Sequence, residues 1–93
     1  MPLTSKERQQ MKARAHKMSP LVIIGNQGLS ANVNTEIDRG LYDHELIKIR
    51  VNVEDRVERR NMFDEICDVH HAELVQQVGK IGVVYRVSDK QKA

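Results

Sequence analysis

The feature that most constrains the fold is an apolar run joined to a helix signal by a glycine-framed loop. Residues 21–24 are all apolar and lead directly into Gly25-Asn26-Gln27-Gly28, after which the sequence has the pattern of a helix. Two glycines at this spacing allow a sharp turn in which no Cβ keeps a ligand from the backbone amides. A helix N-terminus behind such a loop favours an anionic group such as a phosphate. Because an ordinary strand-to-helix turn can have the same pattern, the loop alone indicates α/β structure more firmly than it indicates phosphate binding.

A capping box predicts the first helix. Thr4 is a good N-cap and Glu7 stands three residues later, so the helix is expected to begin at about residue 5. The Ser-Pro pair at 19–20 is expected to end it, because the residue before proline is disfavoured in the α region. Its narrow apolar stripe consists of Met11, Ala15 and Met18.

Two segments have different strand patterns. Residues 21–24 are apolar throughout, which predicts an interior strand that is covered on both sides. Residues 46–51 alternate with period two, which turns Lys48 and Arg50 outward. Such cations can contact solvent, a neighbouring acid or a nucleic-acid backbone, and we expect these two to be solvated. The inward residues of the same segment are Ile47, Ile49 and Val51.

Two further helices are predicted. Ser30 caps a helix that extends to about residue 42, and Asp55 caps another that ends near His70. Each has an apolar face at helical spacing. The two faces consist of Val33, Ile37 and Leu41 in the second helix, and of Met62, Phe63, Ile66 and Val69 in the third.

A hairpin completes the predicted order. Residues 73–78 and 81–86 read as strands, and the glycine that begins the link at 79–80 favours a type II′ turn. The order α-β-α-β-α-β-β predicts an α/β fold in which helices pack against a four-stranded mixed sheet. We expect a single domain over residues 1–87 and a flexible tail over 88–93.

Charge is distributed unevenly along the 93-residue chain, whose formal net charge is +2. Residues 1–20 contain five bases and one acid, and residues 79–93 contain four bases and one acid. Residues 29–78 contain eleven acids and six bases. If the two basic segments share one side of the fold, that side suits a polyanion. Alternatively, the basic ends only keep the chain in solution.

Composition and motifs argue against several other classes. The single cysteine excludes an internal disulfide, no apolar run is long enough to cross a bilayer, and the start lacks a secretion signal, so a cytoplasmic location is expected. Cys67, His70 and His71 lie close in sequence, but a structural zinc site needs four ligands, and we predict no metal. The chain also lacks a GxxxxGK[ST] or GxGxxG phosphate motif. With no nucleophile in a recognisable setting, an enzyme is the weakest class.

Several segments taken in order resemble the YhbY family. They are the basic first helix, LVIIGNQGLS at 21–30, HELIKIRV at 44–51, the acid-capped third helix and VGKIGVVYR at 78–86. This family is the small stand-alone form of the CRM domain, named for chloroplast RNA splicing and ribosome maturation, and the resemblance covers residues 3–87. It implies a fold similar to the C-terminal domain of bacterial translation initiation factor three. It also implies RNA binding and, for stand-alone bacterial members, association with precursors of the large ribosomal subunit.

The resemblance also implies which residues bind RNA. The family's GxxG loop corresponds to Gly25, Asn26, Gln27 and Gly28, and it is similar to the RNA-clamping loop of KH domains. Many loops of this type have a lysine or arginine between the glycines, whereas this chain has Asn-Gln. Positive charge must therefore come from neighbouring elements. The family's basic helix corresponds to the segment that contains Arg8, Lys12, Arg14 and Lys17, and further candidates are Lys80 and Arg86.

These features favour a non-enzymatic RNA-binding domain that acts as a monomer, with no cofactor and no small-molecule substrate. Because the chain has only three aromatic residues on which bases could stack, we expect it to prefer structured RNA and backbone shape over single-strand sequence. The alternative is a protein-interaction module, an adaptor that uses the acidic faces of helices two and three.

Overall fold

The computed structural model describes residues 3–88, and its elements follow the predicted order. The helices are α1 (Ser5–His16), α2 (Ala31–His44) and α3 (Arg56–His70). The strands are β1 (Val22–Ile24), β2 (Leu46–Val51), β3 (Glu73–Val78) and β4 (Ile81–Tyr85). They form one four-stranded sheet in the order β1-β2-β4-β3, in which β1 is parallel to β2 and the other neighbours are antiparallel. The α/β prediction with a mixed sheet is confirmed.

One face of the sheet is covered by α2 and α3, and we call it the sealed face. Phe63 of α3 packs directly on the backbone of β4, since a Cβ added to Gly82 would overlap with its ring. Ile37 and Leu41 of α2 are fully buried in the same cluster. The sheet residues of the sealed face are Val22, Ile24, Ile47, Ile49, Val51, Gly82 and Val84.

The opposite face is only partly covered, because α1 is the one described helix that packs on it. Met11 and Ala15 of α1 pack against Leu46, Val75 and Val83, which lie toward the end where β2 begins. The other half of this face stays accessible, and we call it the open face. Its residues are Ile23, Lys48, Arg50, Gln76, Val78 and Ile81.

The prediction that residues 21–24 form an interior strand is wrong. β1 is an edge strand that pairs with β2 alone, and the side chain of Ile23 is 60% exposed. The apolar residues of the run face different surroundings on the two sides of the strand. Val22 and Ile24 are buried on the sealed face, whereas Ile23 lies on the open face, beyond the part of the sheet that α1 covers.

Local signals gave the helix starts correctly. Thr4 and Glu7 form the predicted capping box, with Thr4 Oγ1 accepting from the Glu7 amide at 3.1 Å. Ser30 accepts from the Val33 amide, and Asp55 accepts from the amides of Val57 and Glu58. In all three helices, side-chain oxygens therefore accept hydrogen bonds from N-terminal backbone amides that have no partner within the helix.

The other boundaries differ in detail. Helix α1 ends at His16, before the predicted Ser-Pro stop, and α2 continues two residues further than predicted, to His44. In α3 the predicted apolar position Val69 is 52% exposed, whereas the next residue, His70, is buried. His70 follows Ile66 by four residues and so occupies the same helix face. Gly79 has a φ of 58°, as a type II′ turn requires.

The end of the described chain is more ordered than the sequence predicted. Ser88, the first residue of the predicted flexible tail, is buried against the end of α2. Its amide donates to Glu45 Oε2 at 2.7 Å, and its hydroxyl donates to the carbonyl of Tyr42. Residues 89–93 of the predicted tail lie outside the described residues.

Candidate nucleic-acid interface

The loop at Gly25–Gly28, which we call the GNQG loop, is an exposed turn at one end of the sheet. The amide of Gly28 donates to the carbonyl of Gly25 at 3.1 Å, which closes the turn, and the amide of Ser30 donates to Gly28 at 3.1 Å. Asn26 and Gln27 are exposed at its tip. The loop is therefore preformed and accessible, as a phosphate-binding loop must be.

The two glycines of the loop have different roles, which the sequence could not distinguish. Gly28 has a φ of 71°, a left-handed conformation that strains any residue with a Cβ. A Cβ at Gly28 would also lie 3.8 Å from Met62. Gly25 has no positive φ, and a Cβ added there would meet nothing within 4 Å. The fold of the chain therefore needs a glycine at position 28 but not at position 25.

The surroundings of the loop suit an anion. Among the described residues, none accepts a hydrogen bond from the amides of Asn26 or Gln27. The loop leads into the N-terminus of α2, whose first turn contains no acidic residue. The helix dipole and the free amides together give the loop a partial positive charge without a charged side chain.

Two of the predicted RNA-binding arginines are used by the fold. Arg8 Nη1 donates to the carbonyls of Leu74 and Val75 at 2.8 and 3.2 Å, which fixes α1 to β3. Arg86 Nη1 lies 3.0 Å from Asp38 Oδ1 and 3.2 Å from the carbonyl of His70. Arg86 follows β4 at the end of the sheet where β2 begins, about 17 Å from the GNQG end at strand spacing.

Lys80 lies at the same end of the sheet as the GNQG loop. Its carbonyl accepts from the Val51 amide at 2.8 Å, at the point where β2 ends. Its ammonium group lies 2.6 Å from Glu54 Oε1, and this pairing holds the pKa of the Glu54 carboxyl below its usual range. Lys80 is thus near the loop, but its charge already has a partner.

The remaining cations of α1 point in different directions. Lys12 is half-buried and lines a groove of about 390 Å³ between α1 and the sheet. Arg14 lies on another side of the helix, beside Met18 and Leu46. Lys17 is exposed at the helix C-cap. Within residues 3–88, none of these three side chains has an ion pair or hydrogen bond, so all three charges are available.

Sequence reasoning did not include Lys48 and Arg50 among the RNA-binding residues, although it left contact with a nucleic-acid backbone open, and the structure places both beside the predicted site. Both lie on the open face, and Lys48 lines the same groove as Lys12. Arg50 Nε donates to Asn52 Oδ1 at 2.7 Å, and the Asn52 amide donates to the carbonyl of Ile24, directly before Gly25. The period-two pattern predicted that both cations point outward. It could not indicate that they lie between α1 and the loop.

The Cys67 thiol is not activated as a nucleophile. Burial, together with the nearby carboxylates of Asp64 and Asp68, raises the pKa of the Cys67 thiol to about 11, which disfavours the reactive thiolate. Within residues 3–88, no group of three or more His, Cys, Asp or Glu side chains could hold a metal ion. No described helix is long and apolar enough to cross a membrane.

Comparison with known proteins places this chain in one family. The family model of the CRS1 / YhbY (CRM) domain matches residues 3–86. A probable RNA-binding protein of Pseudomonas aeruginosa is 39% identical over 90 residues, which cover 97% of this chain and 86% of that protein. An RNA-binding protein of Haemophilus influenzae is 38% identical over 90 residues, which cover 97% of this chain and 91% of that protein.

A solved structure agrees with these sequence matches. The solution structure of a candidate RNA-binding protein of Staphylococcus aureus superposes with a TM-score of 0.81 at 31% identity, covering 94% of this chain and 91% of that one. The chain therefore belongs to the CRS1/YhbY (CRM) domain family, in its stand-alone bacterial form. The family prediction made from the sequence is confirmed.

Proposed function

We propose that this protein binds RNA without catalysis, and that the GNQG loop receives the phosphate backbone while the free cations of α1, which are Lys12, Arg14 and Lys17, supply charge. The family membership and the names of the relatives support RNA as the ligand. The observation that supports this site most strongly is the glycine at position 25. The fold has no use for a glycine there, yet a glycine leaves the free amides of the loop open to close approach.

In the cell we propose that the RNA is the precursor of the large ribosomal subunit, in the cytoplasm. This part rests on the resemblance to stand-alone bacterial CRM proteins. The protein would act there as a monomeric assembly factor. Its cations, rather than stacking aromatic rings, would provide most of the affinity, so binding should weaken steeply with salt.

The loop is tested by enlarging Gly25 in steps. Gly25→Ala and Gly25→Val add side chains into open space, so the melting temperature should stay within a few degrees. RNA affinity, measured by fluorescence anisotropy with a structured ribosomal RNA fragment, should fall by about tenfold for Gly25→Val, because a side chain holds the phosphate away from the amides. Unchanged affinity in a folded Gly25→Val protein would contradict the loop assignment.

A matched pair of charge variants tests the source of the charge. Lys12→Gln should weaken RNA binding and reduce the salt dependence of log K by about 0.7 to 1. Arg39→Gln removes one positive charge from the exposed surface of α2 and should leave both quantities unchanged. Equal effects of the two variants would show that only net charge matters.

The identity of the cellular RNA needs a separate experiment. Crosslinking in living cells, followed by sequencing of the attached RNA, should recover large-subunit ribosomal sequences. Ribonuclease treatment of an extract should release the protein from large-subunit fractions in a gradient. Retention after ribonuclease treatment would instead favour the adaptor function, in which a protein partner holds it.

A further inference from the structure

The open face of the sheet is a second surface beside the GNQG loop that needs an explanation. We infer that it binds an unpaired stretch of RNA that leads away from the loop, an inference that rests on the proposed RNA-binding function. The stretch would lie across all four strands, with its phosphates near Lys12, Lys48 and Arg50 and its bases against exposed aliphatic side chains.

The first observation is a row of four side chains across the sheet that has an exposed apolar residue at each end. Ile23, Arg50, Ile81 and Val78 are direct neighbours on β1, β2, β4 and β3 and point to the same face. Ile23 is 60% exposed and Val78 is 64% exposed. Four strands at ordinary spacing make this row about 14 Å wide. Ile81 is half-buried between Arg50 and Val78, so the row presents aliphatic side chains with one cation among them.

The second observation is the sign of the charge around the row. The groove between α1 and the sheet has a volume of about 390 Å³ and is lined by both Lys12 and Lys48. No carboxylate occurs among the described residues that line it. Lys12 and Lys48 have no ion pair within residues 3–88, in contrast to Lys80 and Arg86. A groove with uncompensated cations favours an anionic occupant.

The third observation is continuity with the loop. Arg50 Nε is held by Asn52, and Asn52 in turn is hydrogen-bonded to Ile24, the residue before Gly25. This contact uses one of the five N–H donors of the guanidinium group, so the rest can bind phosphate. The loop and the open face therefore form one continuous surface.

The mixture of aliphatic and cationic side chains indicates an unpaired strand rather than a duplex. A duplex presents mainly sugars and phosphates to a flat surface and would leave the aliphatic side chains facing water. An unpaired strand offers the apolar faces of its bases between its phosphates. Contact with aliphatic side chains carries little sequence information, so the open face would recognise unpaired RNA without reading its sequence.

The test compares two RNAs and two pairs of variants. The probes are a blunt RNA hairpin and the same hairpin with a short unpaired 3′ or 5′ extension, and wild type should bind one extended form more tightly. The double variant Lys48→Gln/Arg50→Gln should bind that RNA about tenfold more weakly, with a salt slope lower by about 1, and should bind the blunt hairpin nearly as wild type does. Ile23→Thr/Val78→Thr keeps β-branched residues in the strands. Its affinity for the extended RNA should fall about fivefold, whereas its affinity for the blunt hairpin should not change.

Two controls separate charge number from position. Arg39→Gln/Arg60→Gln removes two charges from the exposed surfaces of α2 and α3 and should bind both RNAs as wild type does. Lys48→Arg/Arg50→Lys keeps both charges in place and should retain most of the affinity for the extended RNA. Thermal melts of every variant show that the folded state is retained.

The outcomes distinguish this inference from the proposed function. If wild type binds neither RNA above the non-specific level, the proposed RNA-binding function fails. Suppose that wild type binds RNA and that Gly25→Val weakens this binding. The inference about the open face then fails alone in either of two cases: an extension of the hairpin adds no affinity, or the open-face variants bind as the Arg39→Gln/Arg60→Gln control does. Equal losses on blunt and extended RNA would likewise overturn it, because they would indicate a duplex on this face.

Discussion

The two faces of the sheet differ in what covers them. The sealed face is buried under two helices, and ten residues of its cluster are at most 2% exposed. The open face lies beside the single helix α1 and keeps aliphatic and cationic side chains accessible. Substitutions on the sealed face should therefore change stability, whereas those on the open face should change RNA binding with little effect on stability. Because one face holds most of the core, a domain of this size can leave half of its other face accessible.

The largest expected effect is at the centre of the sealed face. Phe63→Ala removes a fully buried ring and should lower the free energy of unfolding by about 3 to 5 kcal/mol, since a cavity remains beside β4. Ile23→Ala on the open face should cost less than about 1 kcal/mol. Urea denaturation followed by circular dichroism measures both. Similar losses for the two variants would remove the distinction between the faces.

The contact between Phe63 and Gly82 gives a sharper test. Gly82→Ala places a Cβ where the Phe63 ring now packs and should cost about 1 to 3 kcal/mol of stability. Combining it with Phe63→Leu, which removes part of the ring volume, should cost less than the sum of the two single changes. Strict additivity in a double-mutant cycle would show that the close contact is not the cause of the loss.

The cations of α1 should also differ in their effect on stability, because Arg8 is hydrogen-bonded to β3 and Lys12 is not. Arg8→Gln loses the hydrogen bonds to the carbonyls of Leu74 and Val75 and should lower the free energy of unfolding by about 1 kcal/mol. Lys12→Gln has no such contact and should remain within about 0.5 kcal/mol of wild type. Measured by urea denaturation, a larger stability loss for Lys12→Gln than for Arg8→Gln would reverse the assignment of fold and binding roles.

The smallest expected effect is a pH dependence of stability that arises at His70, between the two helices that cover the sealed face. Burial, followed by the nearby Arg86 charge, lowers the pKa of His70, although Asp38 opposes this shift. The imidazole Nε2 lies 2.9 Å from Asn34 Oδ1, and the neighbouring His71 adds a further unfavourable charge. The folded state therefore prefers the neutral imidazole, while the unfolded chain takes up a proton near the ordinary pKa of about 6.5.

The sign of the effect follows from proton uptake in the unfolded chain. Stability is fully present above pH of about 6.5 and falls as the pH drops toward the lower pKa of the folded state. The carboxyls of Glu7 and Glu54, whose pKa values are lowered, act only at still lower pH. Urea denaturation between pH 8 and 5 should show a decrease for wild type and a smaller one for His70→Gln. The same decrease in both proteins would assign the effect to another group.

Predictions from the sequence succeeded where a few neighbouring residues decide the structure. The caps at Thr4, Ser30 and Asp55 and the turn at Gly79 are local, and each was found at its predicted position. The family also followed from motif order along the chain. Whether the GNQG loop contacts RNA is a prediction that the experiments above must test.

Predictions failed or stayed incomplete where contacts between residues far apart in the sequence determine the structure. The ion pairs of Lys80 and Arg86 were not predicted, because their partners Glu54 and Asp38 are 26 and 48 residues away. β1 looked interior because its apolar run gives no information about which strand lies beside it. Val69 was assigned to the apolar face by helical spacing, although the rotation of α3 on the sheet buries His70 instead.

The amino-acid sequence by itself determined the order of the elements, the helix starts and the family, because capping, turn conformation and hydrophobic period act over a few residues. Only the tertiary structure decided which cations are neutralised, which glycine of the loop the fold needs, and that Lys48 and Arg50 lie between α1 and the GNQG loop. Those properties depend on strand order and on the partial cover that α1 gives the sheet. Both arise from contacts between residues far apart in the chain.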